Sequence, residues 1–177
     1  MVLETERLLL RPWEDGDAAQ LYKLAWDADI GPRAGWPVHT SVENSREIIR
    51  GVLSAPETYA MILKETGLPA GSIGLKEPEE RFADLDGLQM EIGYWIGKEF
   101  WGRGLTHEAV ERILRRGFDE LNCAAIWCGH YDFNAQSRRV IEKSAFRYQR
   151  TVETTNLLGK THPTLFYAIT RGEWHNR

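Results

Sequence analysis

The chain has 177 residues, 42% of them hydrophobic, and carries a net charge of −4, which suits a single domain (1–177) with a real core. A pI near 5.8 argues against a nucleic-acid binder, whose footprint is basic, while an acidic surface either welcomes a cationic amine or serves solubility alone. No run reaches the ~20 apolar residues of a membrane span, and the opening MVLETERLLLRP lacks a signal-peptide cleavage pattern, so the protein reads as cytoplasmic, with no membrane partner.

Arg7 to Trp13 (RLLLRPW) reads as a first strand that Pro12 helps to close. A helix follows, capped by Asp15 or Asp17, with Leu21, Leu24 and Ala25 at helical spacing, and Gly31-Pro32 stops it. Residues 31–40 (GPRAGWPVHT) are rich in breakers and hold Trp36 and His39. A second helix begins near Ser41 or Val42 with Ile48, Ile49, Val52 and Leu53 as its inner stripe. Tyr59–Lys64 and Ala70–Lys76 form a hairpin across Glu65–Pro69. Residues 77–87 carry five acids and read either as a solvated loop or as an electrostatic lip for a cationic acceptor.

The stretch Leu88–Phe118 organises the rest. Leu88, Met90, Ile92, Tyr94 and Ile96 alternate with Gln89, Glu91, Gly93 and Trp95 at the period of a strand. Leu105, Ala109, Ile113, Leu114 and Phe118 then recur at helical spacing. The join, Trp101-Gly102-Arg103-Gly104, puts two glycines before a helix, where the backbone approaches a ligand closely and free amides and the helix dipole favour an anion. A dinucleotide fingerprint is incomplete, because His107 stands where the third glycine belongs and residues 123–129 hold no acid. No Gly-Lys-Ser/Thr follows, so a nucleoside-triphosphate loop is disfavoured too.

Beyond this unit, Cys123–Gly129 (CAAIWCG) reads as a short buried strand whose two cysteines point to opposite faces and do not bridge. The five histidines are scattered, so no metal is expected. Asn134–Lys143 is a helix, and residues 147–155 and 164–170 form a final antiparallel pair, with no linker or repeat anywhere.

Two segments carry a family resemblance. Glu99-Phe-Trp-Gly102-Arg-Gly104 resembles the Q/R-x-x-G-x-G/A signature of the Gcn5-related N-acetyltransferase (GNAT) superfamily, with glutamate at the first position. GYWIGKEFWGRGLTHEA, and Asn134-Ala-Gln-Ser137-Arg-Arg-Val-Ile-Glu142-Lys143-Ser-Ala-Phe146, are similar to the branch of ribosomal-protein N-terminal acetyltransferases of RimJ/RimL type, with Ala145 for the usual glycine. The likeness runs from the N-terminal region to about Arg150.

The resemblance implies a single-domain α/β (α+β) acyl-CoA N-acyltransferase fold, a mixed and bent sheet flanked by helices, with acetyl-CoA as co-substrate. It implies direct attack by an amine in a ternary complex, with backbone amides near Trp95 and Ile96 as oxyanion donors. The loop amides of Trp101, Gly102, Arg103, Gly104, Leu105 and Thr106 are then expected on the pyrophosphate, Asn134 on the pantetheine, and Arg138, Arg139 or Lys143 on the 3′-phosphate. Trp36 and His39 become acceptor contacts, against the plainer reading of a core-capping tryptophan and a solvated histidine. Homodimerisation rests on the resemblance alone.

For chemistry, Glu91 is the expected base, since it lies on the strand entering the cofactor loop and faces away from the Met90–Ile92 stripe; the alternative is a structural carboxylate paired with an arginine or bonded to backbone amides. The superfamily's tyrosine, seven residues after the asparagine, is replaced by Ile141. Ser137, one turn from Asn134, is the alternative proton donor or a pantetheine contact. Cys128 is a weak candidate for a covalent route. The reading is an acetyl-CoA-dependent N-acetyltransferase acting on a peptide N-terminus or a small-molecule amine. A CoA-binding protein without catalysis and a nucleotide-cofactor oxidoreductase are the other classes left open.

Overall fold

The computed structural model describes residues 1–177. Eight strands form one sheet in the order β1-β2-β3-β4-β5-β6-β8-β7. They are β1 (Leu3–Glu4), β2 (Leu8–Arg11), β3 (Thr58–Leu63), β4 (Pro69–Lys76), β5 (Gln89–Ile96), β6 (Ala125–Tyr131), β7 (Arg147–Thr155) and β8 (Thr161–Thr170). All neighbours are antiparallel except β5 and β6. That parallel pair needs a crossover, and helix α4 (Leu105–Arg115) supplies it.

Both faces of the sheet are covered. On one, α4 and α5 (Ala135–Lys143) enclose the larger core, which includes Leu10, Met61, Ile73, Ile92, Ile113 and Ile126. On the other, α1 (Ala18–Ala25) and α3 (Val42–Arg50) pack Leu21 and Ile49 against Trp13, Ala60 and Ile62. Burial on both sides explains why β5 conceals polar Gln89 and Glu91 as well as Ile92. Edge strand β7 is mostly exposed and studded with Arg147, Arg150 and Glu153, which discourages pairing with another chain.

Several expectations are corrected. The first helix ends at Ala25, and Gly31-Pro32 opens a short helix α2 (Gly31–Ala34) instead of stopping the first. Proline is tolerated there because the first helical N–H needs no intrahelical partner, and the turn ends where Gly35 adopts φ 90°. Neither Asp15 nor Asp17 caps α1 by its side chain. Asp17 accepts instead from Arg11 and the Glu14 amide, while Asp15 pairs with Arg50 of α3. In α3, Ser45 joins Ile49 inside and Val52 is 71% exposed, because Gly51 breaks the helix before the stripe can continue. Cys123 precedes β6, so strand parity does not govern it; it and Cys128 are free thiols in the same core.

Arg116 sits where α4 widens into a π-turn (Arg116–Glu120) and grips Glu57 with two bonds, Nη2–Oε1 at 2.7 Å and Nε–Oε2 at 3.1 Å. Those bonds hold the Glu57 carboxyl below its ordinary range. A depressed carboxylate contributes stability that is full above its unfolded pKa and is lost as pH falls through the folded value. The urea midpoint is therefore expected to be flat from neutral pH to about 5 and to fall below it. In Glu57→Gln the acid-side slope is expected to be shallower, and an unchanged slope rules out this pair as its source.

Candidate active site

The site is built where β5 and β6 part. The two strands pair only at Gln89–Ala125, Met90–Ile126 and Glu91–Trp127, after which β5 continues to Ile96 and β6 to Tyr131 without a partner between them. Direction along β5 follows from its bonds. Gly97 donates to Ala70 on the β4 side, whereas Leu88 and Ile96 offer their carbonyls on the other side, to Ala124 and to the Trp101 indole at 3.1 Å. Antiparallel alternation therefore turns odd-numbered peptide groups toward β4 and even-numbered ones toward the gap. Of the expected oxyanion donors, the Ile96 amide faces the gap, but that of Trp95 is turned to β4; the amide that faces the gap beside Ile96 is that of Tyr94. Sequence parity alone contained this distinction, once the partner strand of β5 was known.

Directly after β5 the chain makes a short turn and enters α4. Gly102 and Gly104 both sit in the left-handed region, at φ 74° and 76°, and Gly104 is the N-cap of α4 with no side-chain cap. A side chain at Gly102 would meet nothing within 4 Å, so the cradle is open on that side. The first turn of α4 leaves its leading amides without intrahelical partners, at the positive end of an 11-residue helix. Leu105 and Thr106 are buried and anchor that turn. Trp101 is less available than expected, since its amide donates to Lys98. The Arg103 carbonyl accepts from Arg7, and its guanidinium lies 3.6 Å from Glu65. Glu108 clamps this corner: burial opposes its ionisation, but bonds from Thr5 and Arg7 outweigh that and hold its carboxyl below the ordinary range.

Helix α5 forms the floor beyond β6. Asn134 caps it, its Oδ1 accepting from the Ser137 amide at 3.2 Å. Ser137 Oγ lies 2.9 Å from the phenol of Tyr94. Arg138 is paired with Glu142 at 2.8 Å, while Arg139 and Lys143 are exposed and make no ion pair. Cys128 is 1% exposed and burial pushes its thiol well up, so it stays protonated and inert toward covalent chemistry.

On the opposite face lies an aromatic wall. Trp95 stacks on Trp13 at 6.4 Å and meets Trp36 edge-on at 5.6 Å, and Trp36 lies 5.4 Å from His39. His39 is not the solvated loop residue of the plainer reading: it is buried, contacts Ser45 Oγ at 2.8 Å, and burial lowers its pKa, keeping it neutral. Nearby, α2 reaches across the gap. Arg33 donates to Gln136 of α5 at 3.0 Å and covers the Trp101 ring, while Leu157 of the β7–β8 turn donates to Gly35. The roles of Arg33 and Gln136 have no signature in the sequence, because only the folded chain brings them together.

Glu91 occupies the last paired step before the gap. It is 6% exposed, lies 3.1 Å from Lys76 Nζ and accepts from the Glu79 amide at 3.0 Å. The neighbouring loop is not freely solvated. Gln89 bonds both the amide and carbonyl of Phe82, the Phe82 ring lies tilted against Trp127 at 4.6 Å, and Glu80 pairs with Arg150.

Two strands that splay beside a glycine-led helix N-terminus leave backbone amides facing the gap and, at the helix start, a place that favours an anion. The chain belongs to the GNAT acetyltransferases: the family model described as Acetyltransferase (GNAT) domain matches residues 7–147. An uncharacterised N-acetyltransferase, p20, from Bacillus licheniformis is 28% identical over 150 residues, 82% of each chain. A GNAT-family acetyltransferase from Bacillus anthracis shares the fold with a TM-score of 0.82 at 23% identity, over 98% of this chain and 100% of that one. The ribosomal-protein-S5-alanine acetyltransferase from Vibrio fischeri does so with a TM-score of 0.75 at 16% identity, over 98% of both. Family membership implies acyl transfer from acetyl-CoA to an amine and sets aside an oxidoreductase. No helix is long and apolar enough to cross a membrane.

Proposed function

We propose that the protein acetylates a primary amine, a peptide α-amine or a small-molecule amine, by direct attack on acetyl-CoA held in the gap between β5 and β6. The observation that carries this reading is the unpaired β5 edge running straight into the glycine-led N-terminus of α4. A peptide acceptor is supported by the likeness to the Vibrio fischeri enzyme, and the acceptor enters along the wall of Trp36, His39 and Trp95.

The amides of the loop and first turn of α4, from Gly102 to Thr106, hold the pyrophosphate, and Arg139 and Lys143 are the cations of α5 left free to meet the 3′-phosphate. Asn134 uses its oxygen as the cap, which leaves its amide NH2 for the pantetheine. The Ile96 and Tyr94 amides are aimed at charge developing on the thioester oxygen. Ser137 hydrogen-bonds the departing sulfur. Glu91 lies three residues before Tyr94, about 10 Å at the rise of a strand, so it takes the amine proton through water rather than by contact. Lys76 and the Glu79 amide keep its carboxylate aimed while each oxygen retains a lone pair.

Thiol release from acetyl-CoA over a panel of peptides with free N-termini, polyamines and aminoglycosides tests this reading and identifies the acceptor class. In Glu91→Gln, kcat is expected to fall about 100-fold, the usual scale for losing a general base, with partial recovery at alkaline pH as the amine deprotonates unaided. Unchanged turnover and pH profile would leave Glu91 only the task of holding Lys76 and the loop.

A further inference from the structure

The helix tyrosine of the resemblance is absent here, but the folded chain brings a different tyrosine to the same corner. Tyr94 projects from β5 at the point where the strands have parted, onto the face covered by α4 and α5. Its hydroxyl meets one residue through two atoms, Ser137 Oγ at 2.9 Å and the Ser137 carbonyl at 3.3 Å. We propose that Tyr94 is a positioning residue for the leaving group: its O–H is donated to Ser137, which turns the Ser137 hydrogen out into the gap, where it meets the sulfur of CoA.

The argument is one of donors. A tyrosine has one hydrogen and a serine has one. Either hydroxyl can donate in the 2.9 Å contact, whereas the Ser137 carbonyl at 3.3 Å can only accept; the Tyr94 hydrogen is assigned to the shorter contact, the Ser137 hydroxyl. With that lone pair filled, the serine hydrogen is directed away from Tyr94. A hydroxyl that accepts one bond is also a better donor in the next. Burial raises the Tyr94 phenol well above its ordinary value, so it remains a fixed donor throughout the working pH range. Ile141 is compatible with this arrangement, because it is buried in the same core and leaves the donor's place to β5.

The bonds balance without transfer from Tyr94. The amine nitrogen forms a C–N bond and loses a proton through water to Glu91. The C–S bond breaks with its electron pair on sulfur, which Ser137 O–H stabilises as a thiolate. Solvent then protonates the thiolate, and Glu91 returns its proton to solvent.

This inference rests on the acetyltransferase reading, and the test separates the two. Wild type, Tyr94→Phe, Ser137→Ala and the double variant are compared with a reactive amine. Tyr94→Phe is expected to lower kcat about tenfold, the scale of one hydrogen bond to a charged group, with KM for acetyl-CoA within about twofold. The double variant is expected to be no slower than Ser137→Ala. Raising imidazolium at fixed pH should restore part of the rate in each variant and leave wild type unchanged, an effect that a packing role for the phenol does not produce. A Tyr94→Phe rate equal to wild type overturns the proposal, as does a loss that multiplies with that of Ser137→Ala or resists the added acid. A wild type that releases no thiol with any amine overturns the acetyltransferase reading, and this inference with it.

Discussion

Gly104→Val is expected to abolish acetyl-CoA binding while leaving the protein folded. Gly104 holds φ 76° and ψ 3° as the N-cap of α4. An L-residue in that region costs about 1–2 kcal/mol, and a β-branched one is worse placed still. The chain relieves this by rotating the peptide that follows, which swings the Leu105 amide away from the phosphate. A rise in Kd for CoA of at least about 100-fold is expected, near 3 kcal/mol, and the CoA-induced increase in Tm should vanish. Gly67→Val is the control: Gly67 has φ 70° in the β3–β4 turn, remote from the cradle, so it carries a similar strain without touching the ligand. Normal CoA binding by Gly104→Val would remove the cradle from the account.

Trp127→Ala is expected to be among the most destabilising single changes, about 3–5 kcal/mol, the range for emptying a buried aromatic site. Trp127 has no exposed surface, lies under the Phe82 ring and donates from its indole to Gln89 Oε1 at 3.1 Å. It also sits opposite Glu91 in the last pair before the strands part. Its removal therefore loosens the loop over residues 77–82 and the base of the gap together. Thermal unfolding should show a Tm lower by about 10 °C. Trp127→Phe keeps most of the packing, loses the bond to Gln89 and should cost far less. A small effect of Trp127→Ala would mean that neighbouring side chains refill the space.

Much of this was legible in the sequence because the decisive signals are local. The alternation along residues 88–96, the glycines at 102 and 104 and the Asn134–Ser137 turn each fix their own backbone, and α4, α5 and the β5 strand fall where periodicity puts them. What was hidden depends on partners distant in the chain. Trp95 looked equivalent to Ile96 until β4 was known to claim the odd-numbered peptide groups. Gly31-Pro32 looked like a stop because both residues break helices, yet Trp36 packs on Gly31 so closely that a Cβ there would lie 2.6 Å from its ring. His39 looked exposed because its segment is full of breakers, whereas Trp36 and Ser45 enclose it. The Tyr94–Ser137 bond joins residues 43 apart, a separation on which no spacing rule bears.

The parity of β5 also bears on how the sheet breathes. In most central strands successive amides are paired alternately by the neighbours on the two sides, so all exchange with solvent slowly. Here neighbours on one strand belong to different regimes: the amides of Gly93 and Trp95 are closed by β4, while those of Tyr94 and Ile96 face a gap. If acetyl-CoA binds as proposed, its arm takes the place of the missing strand, and the exchange of the Tyr94 and Ile96 amides should slow only when it is bound.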